Sequence, residues 1–420
     1  MRRVSSTPRP EWRSRLDEVG FTFYDLESEG GRPYWNESAA YVFTMAEIEA
    51  LEAATKELFD RCMDAVEVIV RAGRFAEFGI PERFHELVRA SWDDDDPTVY
   101  GRFDLAYDGL GGGLSAGGSG GIKLLEFNAD TPTSLVETAA AQWQWLEEAG
   151  PSGADQFNGL HELLIEQWEH IRSARWGLAP GARLHLASLH DTGDGELIVE
   201  DFDTVAYMAE TAKAAGFDPK LIFMEDLRWS VDRQLFLDAD DEVVSRIFKL
   251  YPWEWMIAEQ FGGFLPSSRA STQWVEPAWK LLLSNKQLLV VLWELFPGHP
   301  NLLPAFASVE PLRGRPHVAK PRLGREGANV TVFDGSGHEV AAQPGEYGEE
   351  GFVYQERAVF APIPGKTAVI GSWVVGETPA GIDLRETSGP ITGDLAEFVP
   401  HYIEPSPSGA GSPTIEGGRG

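Results

Sequence analysis

Residues 100–134 read YGRFDLAYDGLGGGLSAGGSGGIKLLEFNADTPTS, two alternating runs, GRFDLAYD and GIKLLEFNAD, around a stretch that is mostly glycine. Apolar and polar residues in alternation, with turn residues between the runs, predict a β-hairpin with a long flexible tip. Side chains alternate faces along a strand, so Arg102 and Asp104 share one face of the first run, and Glu126 and Asn128 share one face of the second. If Asp108 pairs with Ile122 to close the loop, Asp104 stands opposite Glu126 and Arg102 opposite Asn128. Two facing carboxylates destabilise a strand pair unless a cation lies between them. Mg²⁺ suits that place, because it takes a few hard oxygen ligands such as Asp104, Glu126 and the Asn128 amide and keeps the rest of its octahedron for water and phosphate. A solvated polar face on an edge strand is the alternative, and it leaves polar residues beside LLEF unexplained.

Upstream of the hairpin, residues 45–73 carry Leu51, Leu58, Cys62, Val66 and Ile69 at helical spacing among charged residues, which predicts an amphipathic scaffold helix. Downstream, residues 135–173 return to helical spacing. From Arg183 to Leu250 the pattern is strand, helix, strand, then a helical or mixed stretch ending in VVSRIFKLY, and this alternation predicts a small parallel α/β layer. Residues 272–296 read as helix, and strands dominate from His317 to Arg385 as an antiparallel region. The polar, glycine-rich end reads as a disordered tail.

Composition narrows the function classes. With 35 Lys+Arg against 66 Asp+Glu the net charge is -31, a field that repels nucleic acid and anionic membrane surfaces; it would draw in a cationic small molecule, though such acidity is more often a solubility trait. A single cysteine allows no internal disulfide, and Cys62 on the apolar stripe of a helix packs rather than reacts. The basic N-terminal arm lacks the apolar run of a signal peptide, and no window has the length of a membrane span, so the expected place is the cytoplasm.

Further chemistry-bearing residues follow. In HVAKPRLGREGANVTVF a lysine ends an apolar strand and a loop with two glycines follows, so Lys320 and Arg325 could neutralise phosphate oxygens while Gly327 and Ala328 cover them. No GK[ST] is present, so this is no P-loop, and alone it reads rather as an ordinary hairpin turn with two exposed cations. Lys286 opens a helix-like run, and Gln355 and Glu356 end an apolar strand that could offer an edge to adenine. Arg385 ends another strand, as an anion clamp or a surface ion pair. Glu200 and Asp201 could hold an ammonium group or simply favour a helix N-terminus.

Taken in order, these segments resemble the synthetase part of the glutathionylspermidine synthase family of ATP-grasp amide ligases. The matching pieces are RFD at 102–104, EFNADTPTS at 126–134, ED at 200–201, LYPWEWM at 250–256, NK at 285–286 and HPNLLPA at 299–305. They continue with AKPRLGREGANV at 319–330, YQE at 354–356, GSW at 371–373 and AGIDLRETSGPIT at 380–392, and together they span roughly residues 15 to 404. The resemblance implies an α/β fold with α+β elements, a circularly permuted ATP-grasp fold with a pre-ATP-grasp α/β layer. The expected division is an N-terminal segment with the hairpin at 1–180, the pre-ATP-grasp layer at 181–255, the nucleotide-binding region at 256–404 and the tail at 405–420.

The implied chemistry is ATP-dependent: a carboxylate becomes an acyl phosphate and an amine displaces phosphate to give an amide. Carried over by position, the resemblance implies Asp104, Glu126 and Asn128 on Mg²⁺, and Arg102 and Arg385 on the transferred phosphoryl group. It implies Lys286, Lys320, the loop Arg325, Glu326, Gly327 and Ala328, and Gln355 with Glu356 on ATP. Thr131 and Thr133 would meet a substrate, and Glu200 with Asp201 a polyamine such as spermidine. The cysteine amidase of bifunctional members has no counterpart here, so hydrolase activity is not expected. The expected partners are therefore a small carboxylate or peptide and an amine, with a peptide ligase or a non-catalytic nucleotide-binding relative as the competing readings.

Overall fold

The alternating runs pair as a hairpin in the computed structural model, which describes residues 1–26, 31–110, 121–191, 197–393 and 396–405. Most of the expected flexible tip and of the disordered tail lies outside the described residues. Strands Tyr100–Tyr107 and Ile122–Asn128 are antiparallel, with Asp104 opposite Glu126 and Arg102 opposite Asn128. The closing pair differs from expectation: Tyr107, not Asp108, faces Ile122. A bulge after Asp104 sets Leu105 against Leu124, absorbs the one-residue offset and restores the expected register at the polar end.

This hairpin continues into a second one from the far end of the chain, Thr367–Val375 with Thr378–Thr387. Asp104 faces Gly371 and Gly371 faces Asp383, so Glu126, Asp104, Gly371 and Asp383 form a row across four strands. A Cβ at position 371 would lie 2.2 Å from a carboxylate oxygen of Asp383, so the row needs glycine there. The opposite face is dry. Phe103 and Phe127 stack with centroids 3.8 Å apart, and Leu105, Leu124, Ile370, Ile382 and Leu384 join a core with Leu51, Leu58, Cys62, Val66 and Ile69. Those five residues lie on helix Met45–Ala72, which starts at a capping box of Thr44 and Glu47 and ends at Gly73 with φ 68°.

The α/β layer is a four-stranded sheet whose paired neighbours all run parallel, in the order Gln273–Val275, Arg246–Lys249, Ala182–Ser188, Phe217–Phe223. Helix Val199–Ala214 connects the last two in sequence. Two expectations need correction. The stretch before VVSRIFKLY holds a small hairpin, Arg228–Ser230 with Leu235–Leu237, in which Trp229 faces Phe236 with ring centroids 5.0 Å apart, and RIFK itself is strand rather than helix. The expected helix over 272–296 begins instead with strand Gln273–Val275 and is then broken at Asn285 into Leu281–Ser284 and Gln287–Leu295.

The strand-rich region from His317 onward divides between two sheets. Its first strands form a five-stranded antiparallel sheet in the order Ala305–Phe306, Phe352–Glu356, His317–Pro321, Thr331–Phe333, Glu339–Ala342. The remaining two belong to the central sheet, and this division brings the polar row and the 317–356 sheet to opposite sides of one cleft. No helix among the described residues is long and apolar enough to cross a membrane.

Candidate active site

The cleft has a volume of about 370 Å³. Every residue expected to act lines it except Ala328 and Asp201. Ala328 instead closes the glycine loop, its N–H donating to the Arg325 carbonyl at 2.9 Å. Asp201 follows Glu200 in the first turn of helix Val199–Ala214, and only Glu200 reaches the cleft.

At the centre, Arg102 Nε donates to Asp104 at 2.8 Å and Arg385 reaches the other oxygen of the same carboxylate. Burial alone would raise the Asp104 carboxyl, but the two guanidinium groups outweigh it and hold it below the usual carboxylate range. Arg385 Nε has no hydrogen-bond partner in this arrangement. A guanidinium offers five donors, so each arginine keeps capacity for an anion in the cleft.

Beside this triad, Lys286 lies 2.8 Å from Glu126 and donates to the Gly324 carbonyl at 2.6 Å. Lys320 donates to the Leu125 carbonyl at 2.9 Å and to the Gln355 side chain at 2.8 Å. Gln355 in turn donates to the Leu124 carbonyl at 3.0 Å, so its side chain positions the lysine. Burial pushes the Lys320 ammonium down to about 8. Two buried ammonium groups on one wall make a place where phosphate would be welcome.

The glycine loop is pinned by its own chain. Arg325 donates to Thr131 Oγ1 at 2.8 Å and to Glu254 at 2.6 Å, and its guanidinium lies 5.6 Å from the Trp255 ring centroid. Glu326 and Gly327 have φ of 51° and 72°. A Cβ on Gly327 would come within 2.8 Å of the Thr392 carbonyl, so glycine is required both by conformation and by the close approach of residues 391–392. Glu356 pairs with Arg315 at 2.8 Å.

The oxygen set fits Mg²⁺. Asp104 and Glu126 stand on adjacent strands, each raises the other's cost of ionisation, and Asn128 donates to Glu126 through its amide nitrogen at 3.4 Å, leaving its oxygen to act as a metal ligand. Burial raises Glu126 and Lys286 outweighs it, so the carboxyl stays below its ordinary range and available as a ligand. A different group, His185, Asp238 and Glu242 on the parallel layer, has ligand atoms within 4.8 Å of one another. Lys220 occupies it, 2.6 Å from Asp238 and 3.4 Å from Glu242, so its charge is already satisfied.

Acidic groups gather around Glu200. Burial and the neighbouring Glu137, Asp201 and Glu326 raise Glu200 well above the ordinary carboxyl range, and burial raises Asp201 to about 6. Sequence reasoning did not single out Glu137, Tyr34, Asp383 or Glu254. Asp383 lies in the AGIDLRE run two residues before Arg385, on the same strand face, and that spacing was the available signal. Tyr34 and Glu137 are 103 positions apart and only the fold joins them.

The chain matches, over residues 3–404, a family described as glutathionylspermidine synthase preATP-grasp. It is 39% identical over 414 residues to a Haemophilus influenzae protein named "Putative acid--amine ligase", covering 96% of this chain and 100% of that one. Trypanothione synthetase of Crithidia fasciculata is 28% identical, with 92% of this chain and 57% of the relative covered. The bifunctional glutathionylspermidine synthetase/amidase of Escherichia coli is 23% identical, with 82% and 56% covered, so the chain spans little more than half of these two relatives. Among solved structures, a glutathione synthetase-like effector from Globodera pallida in apo form has a TM-score of 0.51 at 11% identity, covering 86% of this chain and 88% of that one, a likeness of fold alone.

Proposed function

The chain belongs to the glutathionylspermidine synthase preATP-grasp family, and on that premise we propose that it is an ATP-dependent carboxylate–amine ligase working through an acyl phosphate. The acid is a peptide or small carboxylate, and the favoured amine is a polyamine such as spermidine. The fold is read as a circularly permuted ATP-grasp. The observation that carries the proposal is the convergence of Arg102 and Arg385 on Asp104, with Lys286, Lys320 and Glu200 lining the same cleft.

Phosphoryl transfer asks mainly for positioning and charge neutralisation. Lys286 and Lys320 would hold nucleotide phosphates, with the Gly324 to Ala328 loop over them and the apolar Val318, Val332 and Phe360 beside the Gln355–Glu356 strand for the base. Asp104, Glu126 and Asn128 would hold Mg²⁺, which supplies further neutralisation when bound. Arg102 and Arg385 would grip the acyl phosphate, Arg385 with an Nε that has no hydrogen-bond partner. Glu200 and Asp201 sit in a field of like charge, and an incoming ammonium would relieve it.

ADP release by the full chain with Mg-ATP, read against a matrix of acids and amines with mass spectrometry of products, tests this. The expected result is ADP release strongly stimulated by one acid–amine pair, with a product weighing their sum less water. ADP release that no pair stimulates, or stimulation without an amide, would reject it.

A further inference from the structure

Tyr34, Ser134 and Glu137 come from three parts of the chain and meet at the cleft. Tyr34 Oη donates to Glu137 at 2.9 Å and shares a hydrogen bond with Ser134 Oγ at 3.1 Å. Tyr34 and Ser134 line the cleft together with Arg102, Arg385 and Glu200, whereas Glu137 stands behind them and is 2% exposed. Ser134 is held at φ 69°, a conformation that costs a non-glycine residue energy and clusters at functional sites. Glu137 opens a single π-helical turn, Glu137–Ala141, another local irregularity of that kind.

A buried carboxylate is normally paired with a cation, and no cation of the described residues pairs with Glu137. Its hydrogen bond runs to a phenol that leads into the cleft. We propose that Tyr34 and Ser134 are the cleft end of a proton-accepting relay whose sink is Glu137, taking the proton an ammonium substrate must lose before it can attack the activated carboxylate.

The inference rests on the ligase reading and adds residues to it. The ammonium nitrogen gives one proton to the Tyr34 oxygen as Tyr34 passes its own to the Glu137 carboxylate. The freed nitrogen pair forms the C–N bond, the C–O bond to phosphate breaks, and the phosphate leaves with that electron pair and takes the second nitrogen proton. Charge balances, and the proton on Glu137 returns to water after product leaves. Tyr34 cannot hold the negative charge itself, because burial and Glu137 raise its phenol well above the ordinary range, so the transfer is a hand-over.

The groups facing Glu137 are Tyr34 and Ser134, Glu200 and Asp203 from helix Val199–Ala214, and Asp383 from strand Thr378–Thr387. Burial, helped by Asp383 and Asp203 and opposed by Tyr34, raises Glu137 to about 7. Below that pH it is protonated and cannot accept, so amide formation should fall on the acid side of neutrality.

The test compares two kinds of nucleophile on the full chain with Mg-ATP and each acid of the matrix above, glutathione among them: spermidine and the other amines of the matrix, which arrive protonated, and hydroxylamine, which is already neutral at pH 7. Wild type should form both the amide and the hydroxamate. Glu137→Gln and Tyr34→Phe should keep hydroxamate formation within about threefold and lose amide formation by roughly a hundredfold, the size of a lost acid–base group. In Glu137→Gln the acid limb of amide formation should disappear. Equal loss of both products in both variants, or equal retention, would overturn the relay while leaving the ligase reading intact. If wild type forms neither product and releases no ADP with any acid of the matrix, the ligase reading falls and the relay with it.

Discussion

The two faces of the central sheet are made by the same strands and serve opposite purposes. On one face Phe103 and Phe127 stack and aliphatic side chains close over helix Met45–Ala72. On the other, Arg102, Asp104, Asp383 and Arg385 hold one another through charge, and Lys286 holds Glu126. Burial on the dry face cannot be exchanged for anything a ligand offers. Ion pairs on the polar face can, because phosphate or Mg²⁺ can take the place of a carboxylate or an ammonium. Substitutions on the first face should therefore register as stability and on the second as turnover.

The largest effect expected is on the dry face. Phe127→Ala removes a ring that packs so closely that a Cβ on Gly101 would lie 2.8 Å from it, and it should cost about 3–5 kcal/mol in chemical denaturation. A loss below about 1 kcal/mol would break the comparison. On the polar face, Glu126→Gln keeps volume and a hydrogen-bond acceptor but removes a charged oxygen ligand. Turnover should fall by roughly 10²–10³ while stability stays within about 1 kcal/mol. Normal turnover, with the Mg²⁺ dependence of nucleotide binding unchanged, would remove Glu126 from the metal set.

The polar face was legible because strand alternation has a period of two and the hairpin carries both polar pairs within 27 residues, 102 to 128. Even so, the register came out right through two compensating slips, a closing pair off by one and a bulge at Leu105, and neither leaves a mark in composition. Helix Met45–Ala72 was legible from its apolar stripe. What stayed hidden was tertiary. Glu254 sits in LYPWEWM, a run that carried part of the resemblance and no role of its own, yet it anchors Arg325 from 71 positions away. Strand Gln273–Val275 is too short for its alternation to stand out, and only its parallel partner defines it. Tyr34 and Glu137 each look ordinary until folding brings them together.

A smaller effect sharpens the comparison within the polar face itself. Arg385→Lys keeps the positive charge beside Asp104 but replaces a fork with a point. Nucleotide affinity should stay close to wild type and kcat should drop about a hundredfold, the loss of one transition-state donor. If Arg385 serves only to hold Asp104, lysine can do that as well, and kcat should change by less than about threefold. Measuring kcat and the ATP Kd together separates the two cases.

The smallest expected effect lies in the glycine loop, where the polar face meets the five-stranded sheet. A loop that gains its partners only from nucleotide would change greatly on binding. Here Arg325 is already tied to Thr131 and Glu254, and Gly327 already lies under residues 391–392. Mg-ATP should therefore slow hydrogen exchange of residues 324–329 only modestly, by about tenfold, equivalent to ~1.4 kcal/mol of local stabilisation. Glu254→Gln loosens the tether without touching the cleft wall, since Glu254 does not line it. In that variant the free loop should exchange faster and the slowing by Mg-ATP should grow, because nucleotide then supplies order that the tether had supplied before. An equal slowing in the variant and the wild type would mean that Arg325 is not what holds the loop closed.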